Sequence, residues 1–188
     1  AGAGELVTNE LSGTRRDRLQ RVIRDHLTEA AAARTRVYGH DATRWGVHEP
    51  DAYDAILLDA PCSSERHLIQ DHKHLEDWSP RRSERLAQQA YVLLLSAAQA
   101  LRMGGRVVYC TCAISMGEND MVVERVLERL EKKQEQNGWK LRLALPSPER
   151  SDLRPEWMET CSNGCRVLPD MADGRGPLYL SRLIKVPL

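Results

Sequence analysis

Two short stretches carry residue types able to do covalent chemistry. The first is Asp54-Ala55-Ile56-Leu57-Leu58-Asp59-Ala60-Pro61-Cys62. Its four successive apolar residues predict a strand buried on both faces, as in a parallel sheet. Pro61 has no N–H and cannot extend a ladder, so Asp59 and Cys62 fall where the strand ends. The second stretch, Gly104-Gly105-Arg106-Val107-Val108-Tyr109-Cys110-Thr111-Cys112, repeats the design. A glycine turn leads into a short β-rich strand with thiols at its end. Ligands of open α/β sheets bind at the carboxyl ends of the strands, so each end would present a cysteine to one crevice. An ionised thiol there is a nucleophile, and a carboxylate beside it can carry a proton. Either cysteine alone reads as a small buried hydrophobe; the pair favours chemistry.

The surrounding chain supplies a sheet to hold them. Leu6-Val7-Thr8 predicts a strand ending at Asn9-Glu10, and Ser12 to Thr14 can cap a helix. Leu19, Val22, Ile23 and Leu27 recur at helical spacing, with Arg15, Arg16, Arg18, Arg21 and Arg24 interleaved as a solvated face. An Ala-rich link leads to a second strand, Thr35 to Tyr38, ending at His40-Asp41, with Trp45 in the loop beyond. The segment from Glu65 to Ser79, with His67, His72 and His74, reads as a loop or broken helix above the crevice. Ser79-Pro80 then starts a helix. Leu86, Ala90, Leu93, Leu94, Ala97 and Leu101 form its apolar face, and Gly104-Gly105 end it. Ser115 and Glu118 fit a capping box for a helix to about Glu135, striped by Val122, Val126 and Leu130 and stopped by Gly138. Trp139 to Leu143, Cys165 to Leu168 and Leu178 to Val186 read as strands, with an irregular link from Pro146 to Glu159. The order is that of an α/β doubly wound domain with an antiparallel end.

Bulk composition narrows the class. The 188 residues suffice for one domain with a core. Lys and Arg total 27, as do Asp and Glu, which excludes a strongly basic nucleic-acid binder and leaves RNA contact to local patches. No apolar run is long enough to span a membrane, and no signal or transit peptide opens the chain. The cysteines number 5 and lack zinc-ligand spacing, so reduced thiols and no metal are expected. A dithiol redox protein would need a Cys-x-x-Cys pair, which is absent. Cys161 and Cys165 read as structural.

Asp59-Ala60-Pro61-Cys62-Ser63-Ser64, with Tyr109-Cys110-Thr111-Cys112-Ala113-Ile114-Ser115 and Glu118-Asn119, resembles the NSUN (Sun-domain) RNA cytosine-5 methyltransferases. The resemblance runs from about Leu6 to the C-terminus. It implies a class I (Rossmann-like) methyltransferase sheet with helices on both faces, and S-adenosylmethionine as cofactor. It also implies that the target cytosine leaves its stack and is attacked at carbon-6 by a thiolate, which makes carbon-5 nucleophilic. Cys112 would be that nucleophile. Cys62 would help break the adduct. Asp59 would contact the cytosine edge and the cofactor and assist protonation, with Pro61 and Thr111 lining the base. Glu10 would hold the cofactor's ribose hydroxyls and Asp41 its adenine amino group.

The family's Asp-x-Cys-Ala-Ala-Pro-Gly-Gly-Lys-like cofactor loop and its first, central strand have no counterpart here. Residues 1–188 thus read as a single, partial methyltransferase domain from the C-terminal part of a longer enzyme. Gly164-Cys165-Arg166-Val167-Leu168-Pro169-Asp170 and Gly176-Pro177-Leu178-Tyr179 resemble the closing hairpin of the mitochondrial branch. That implies ribosomal RNA or tRNA as substrate, a transcription-termination-factor-like protein partner, and a mitochondrial location. A bacterial cytoplasmic relative is the alternative. Family members usually carry Ser where this chain has Cys110, and in an extended segment Cys110 and Cys112 face one side, so both stay candidates for the nucleophile. Glu10 and Asp41 also read as helix-cap or turn acids. The second functional reading is a non-catalytic methyltransferase-like scaffold in a ribosome-assembly complex.

Overall fold

The computed structural model of the chain describes residues 4–65, 79–144 and 155–188. Strands β1 (Leu6–Asn9) and β2 (Thr35–Tyr38) pair in parallel, Leu6 opposite Thr35 and Asn9 opposite Tyr38. Helix α1 (Gly13–His26) connects them and has no buried residue. The Ala-rich link is a single helical turn, α2 (Glu29–Ala32), capped by the Thr28 hydroxyl, which accepts from the Ala31 N–H. Trp45 does not lie in a loop; it opens a short helix, α3 (Trp45–His48), because Asp41 caps the turn before it.

The larger sheet holds β3 (Tyr53–Asp59), β4 (Leu101–Thr111), β5 (Trp139–Leu143), β6 (Met158–Thr160), β7 (Cys165–Val167) and β8 (Leu178–Pro187). Its order is β3-β4-β8-β7-β6, with β5 also on β8. β3 and β4 run parallel, and β8 is antiparallel to β4, β5 and β7. The predicted α/β class with an antiparallel end is therefore present, but among the described residues the strands fall into two sheets, β1-β2 and the larger one, with one parallel pair in each. Helices α4 (Pro80–Ala100), α5 (Asp120–Glu131) and α6 (Gln134–Asn137) complete it. Ser79 caps α4 by accepting from the Arg82 N–H, with Pro80 in the first turn. Ala90, Leu94 and Ala97 of α4 meet Val107 and Tyr109 of β4, Val122, Val126 and Leu130 of α5, and Tyr179 and Leu183 of β8 in one core.

Five expectations change. β3 is not buried on both faces: Leu57 is 73% exposed, while Ile56 and Leu58 pack on the core. Among the described residues β3 ends its sheet, with a partner on the β4 edge alone. Gly104-Gly105 do not end α4, which stops at Ala100 and passes straight into β4. They instead form an irregularity where the register steps from Tyr53–Leu101 to Ala55–Arg106. Gly104 has φ +79, and a Cβ on Gly105 would lie 3.0 Å from the Tyr53 carbonyl oxygen, so both glycines are needed. Ser115 and Glu118 do not form a capping box; Ser115 caps a 3₁₀ turn, Met116–Glu118, and α5 begins after Asn119. The helix also breaks at Lys132 before α6, and left-handed Gly138 then closes α6. Strand β6 begins at the end of the segment expected to be irregular and runs one residue past it, too short to show an alternating pattern. His67, His72 and His74 lie outside the described residues.

Lys185 of β8 joins these layers from inside, at 1% exposure. Its ammonium donates to Asp51 Oδ1 at 2.7 Å and to the Leu101 carbonyl at 2.8 Å, and lies 4.2 Å from the Trp139 ring centre. Lys185→Ala strips the buried Leu101 carbonyl of that donor, which costs about 1–3 kcal/mol before any lost packing on Trp139 is counted. Urea denaturation should show a correspondingly lower midpoint; an unchanged midpoint would contradict the role.

Candidate active site

The register of β3 on β4 sets Asp59 opposite Cys110, and the Ala60 N–H still reaches the Cys110 carbonyl at 3.0 Å. Beyond that bond the chains turn, and the next thiols meet. Cys62 Sγ lies 3.1 Å from Cys112 Sγ, and the Cys112 N–H donates to Cys62 Sγ at 3.4 Å. Ser64 Oγ sits 3.6 Å from Cys112 Sγ and 3.9 Å from Cys62 Sγ. Ser64 adopts φ 57, a left-handed conformation uncommon outside glycine. That turn brings its hydroxyl to both sulfurs.

The contact separates the two thiols electrostatically. The hydrogen bond between the two thiols is the main reason Cys112 is held down to about 6. Ser64 adds to it; partial burial and the nearby charge of Asp59 oppose it. The same hydrogen bond, aided by burial, pushes Cys62 far up. The contact therefore makes ionisation easier at Cys112 and harder at Cys62, so the two thiols titrate as a pair. Cys110 lies elsewhere: its Sγ is 3.6 Å from the Leu58 carbonyl and 3.9 Å from Asp59 Oδ1, and burial pushes it up to about 11.

Of the remaining predicted residues, Pro61 is exposed at the turn, whereas Thr111 is 1% exposed. The Thr111 hydroxyl hydrogen-bonds Asn119 Oδ1 at 2.6 Å and accepts from the Ala113 N–H. Glu65 Oε2 accepts from the Ser115 N–H at 3.0 Å and from the Ile114 N–H, just past Cys112. Neither Ser64 nor Glu65 was singled out in the sequence. Their signal was only their place directly after the Pro61-Cys62 pair.

Glu10 and Asp41 stand just past the carboxyl ends of β1 and β2. Glu10 Oε1 accepts from the Ser12 N–H at 2.8 Å and pairs with Arg15 at 3.0 Å. Asp41 Oδ1 accepts from the Thr43 hydroxyl at 2.8 Å and N–H at 3.0 Å, which holds its carboxyl below the usual range. Asp41 therefore caps the turn that follows it, whereas Glu10 braces the turn before α1, whose N-cap is Ser12; each uses one oxygen, and the other makes no bond among the described residues. A hollow of about 430 Å³ adjoins Asp41, walled by His40, Arg44, Trp45, His48 and Glu49. Among the described residues no cluster of His, Cys, Asp or Glu could hold a metal ion. None of the described helices is long and apolar enough to cross a membrane.

Comparison with known proteins gives concordant matches. A model of the family described as 16S rRNA methyltransferase RsmB/F matches residues 1–182. The chain is 30% identical over 192 residues to the 5-cytosine rRNA methyltransferase NSUN4 of Mus musculus, covering 97% of this chain and 49% of that protein. It is 32% identical over 184 residues to the ribosomal RNA small subunit methyltransferase F of Aeromonas hydrophila, covering 97% and 35%. The chain thus spans about half the length, or less, of these curated relatives. Among solved structures, PH0851 superposes with a TM-score of 0.78 at 20% identity, over 96% of this chain and 37% of that one. NSun6 from Pyrococcus horikoshii, solved with SFG, gives 0.67 at 22% identity, over 98% and 42%.

The thiol pair makes a pH prediction. Cys112 exceeds the reactivity of an ordinary thiol only while it is a thiolate. Its alkylation by iodoacetamide should therefore fall as pH drops through about 6 and level off above it. Cys62 should stay slow through neutral pH. Cys62→Ala removes the donor, so the Cys112 midpoint should move up toward the ~8.5 of a free cysteine. A midpoint unmoved by that substitution would contradict the shared proton.

Proposed function

The chain belongs to the RsmB/F family of 16S rRNA methyltransferases, and on that premise we propose that it forms part of an enzyme methylating carbon-5 of a cytosine in ribosomal RNA, with Cys112 as nucleophile. The observation that carries the reading is the 3.1 Å contact between the Cys62 and Cys112 sulfurs at the two strand ends, which favours ionisation at Cys112. Carbon-5 of cytosine is too weak a nucleophile to take a methyl group unaided. Addition of the Cys112 thiolate to carbon-6 makes it enamine-like, and a proton placed at ring N3 by Asp59 offsets the developing charge. Once carbon-5 is methylated, a base takes its proton and the electron pair left behind expels Cys112 as a thiolate; Cys62 would be that base after giving up its own proton, which is easier once Cys112 is bound to carbon-6 and carries no charge. Cys110, with its proton held firmly, is the poorer nucleophile.

The acids past the ends of β1 and β2, in the separate two-stranded sheet, are of a type suited to the cofactor. The unoccupied oxygens of Glu10 and Asp41 are acceptors suited to the hydroxyl and amino donors of an adenosine, and the hollow beside Asp41 is walled by Trp45. Glu10 would hold the ribose and Asp41 the adenine. S-adenosylmethionine, when bound, supplies an electrophilic methyl group.

Two measurements on the complete enzyme check this assignment. On a denaturing gel with target RNA, Cys62→Ala should leave a slow-migrating covalent adduct that fails to resolve, and Cys112→Ala should leave none and transfer no methyl group. The reverse pattern would make Cys62 the nucleophile. Adduct from Cys112→Ala that disappears only with Cys110 also removed would move the role to Cys110. Neither adduct nor methylation from the wild-type enzyme would favour the scaffold reading. Separately, Glu10→Ala should weaken cofactor binding tenfold or more, the loss of charge-assisted hydrogen bonds of about 1.5–3 kcal/mol. Unchanged affinity by calorimetry would leave Glu10 as a turn acid alone.

A further inference from the structure

The catalytic reading leaves two of the most buried polar residues unused. Glu118 is 1% exposed and Asn119 is 3% exposed, side by side after the Cys112 segment. A carboxylate is costly to bury unless its oxygens find donors, so those donors are informative. Glu118 Oε2 accepts from the Ser63 N–H at 2.7 Å, directly after Cys62 and on the other strand's loop. Glu118 Oε1 accepts from the Ser83 hydroxyl of α4 at 2.6 Å. Its own carbonyl accepts from the Tyr109 hydroxyl, which is fully buried in β4. Asn119 acts on the other side. Its Oδ1 hydrogen-bonds Thr111 Oγ1 at 2.6 Å, and its Nδ2 donates to the Ala113 carbonyl at 3.0 Å. Cys112 lies between those two residues. The neighbouring side chains thus reach the two thiol-bearing loops separately.

We propose that Glu118 and Asn119 are the positioning pair of this site, Asn119 fixing the main chain on both sides of Cys112 while Glu118 holds the Cys62 loop against it. The proposal deepens the reading of Cys112 as nucleophile and rests on it. A helix-capping role does not account for the geometry. The Ser115 N–H that a capping box would use is bonded to Glu65, and the Glu118 side chain goes to a residue 55 positions away. The consequence is chemical. The groups around Cys112 are the Cys62 thiol, the Ser64 hydroxyl and the carboxylate of Asp59, with Glu65 on the following N–H groups and Cys110 beside Asp59. Of the two that favour the thiolate, Cys62 is the stronger, and it acts only in contact. Let the Cys62 loop drift, and burial and Asp59 remain to disfavour the charge.

The test uses the complete enzyme and two readouts: the pH midpoint of Cys112 alkylation, mapped by peptide mass spectrometry, and kcat and KM for RNA. Glu118→Asp keeps the charge but shortens the reach. Glu118→Gln loses the charge but keeps an acceptor for the Ser63 N–H and a donor toward Ser83 Oγ. For Glu118→Asp the midpoint should rise by about one pH unit or more, toward the ~8.5 of a free thiol. In the same variant kcat should fall about tenfold or more, with KM little changed, because the interaction serves the reacting thiols and not RNA binding. Glu118→Gln should lie nearer the wild type than Glu118→Asp in both readouts. The opposite ranking would show that charge and not reach is needed, and would overturn the proposal. So would wild-type values in both variants. If Glu118→Asp does not fold, Ser83→Ala takes its place: it removes one donor and leaves the carboxylate's length and charge. Its midpoint must also rise, and an unmoved midpoint overturns the proposal. Alkylation needs no methyl transfer, so a failure of the nucleophile assignment is seen separately, as an RNA adduct that forms away from Cys112.

Discussion

Parallel pairing of β3 with β4 places Asp59 opposite Cys110, and the two chains part only after the Ala60 N–H has reached the Cys110 carbonyl. Because the divergence happens there, each chain has a thiol two residues later, and the two sulfurs meet. A slip of one residue would turn β4's buried side chains toward the opposite face and separate them. Core packing forbids the slip. Val107 and Tyr109 are fully buried among α4, α5 and β8, and Ile56 and Leu58 lean on the same core. The irregularity at Gly104-Gly105 takes up the excess length of β4 before the register that matters begins.

Burial alone would hold both thiols protonated, as it does Cys110. Contact between two thiols changes the outcome, since one S–H can stabilise the other sulfur's charge while its own ionisation becomes harder. Asymmetry then decides which sulfur is charged. Ser64 sits nearer Cys112, in a left-handed conformation that an unconstrained serine rarely adopts. The strain of Ser64 and the buried hydroxyl of Ser63, which has no partner among the described residues, both lie on the Cys62 loop, and the buried carboxylate of Glu118 reaches that loop from the turn after Cys112. Departures from local stability gathered in one loop are what a functional site shows.

Much of this was legible from local pattern. The apolar stripes of α4 and α5, the strand ends at Asn9, Tyr38, Asp59 and Thr111, and the cysteines placed at two of them all follow from spacing and from Pro61. What could not be read depended on distant partners. Ser115 and Glu118 have capping-box spacing, but Glu65 takes the N–H that Glu118 would need, and Glu118 finds Ser63 instead. Gly104-Gly105 have the composition of a helix stop and serve as a strand irregularity, because glycine answers both demands. The apolar run of β3 looks doubly buried, yet Leu57 is exposed, since four apolar residues in sequence do not say what covers each face. Cys110 and Cys112 look equivalent two residues apart; the turn at the end of β4 gives one Asp59 as neighbour and the other Cys62.

The identity of the attacking sulfur is the point on which the rest stands. Ribosomal RNA in which the target base is 5-fluorocytosine lacks the carbon-5 hydrogen whose loss would release the enzyme in the proposed reaction, so the proposed adduct would stay. Incubation of the complete enzyme with that RNA and S-adenosylmethionine, followed by digestion and fragment-level mass spectrometry, identifies the bonded residue. The account predicts the modified nucleotide on Cys112 itself. Its appearance on Cys62 or Cys110 would contradict the account.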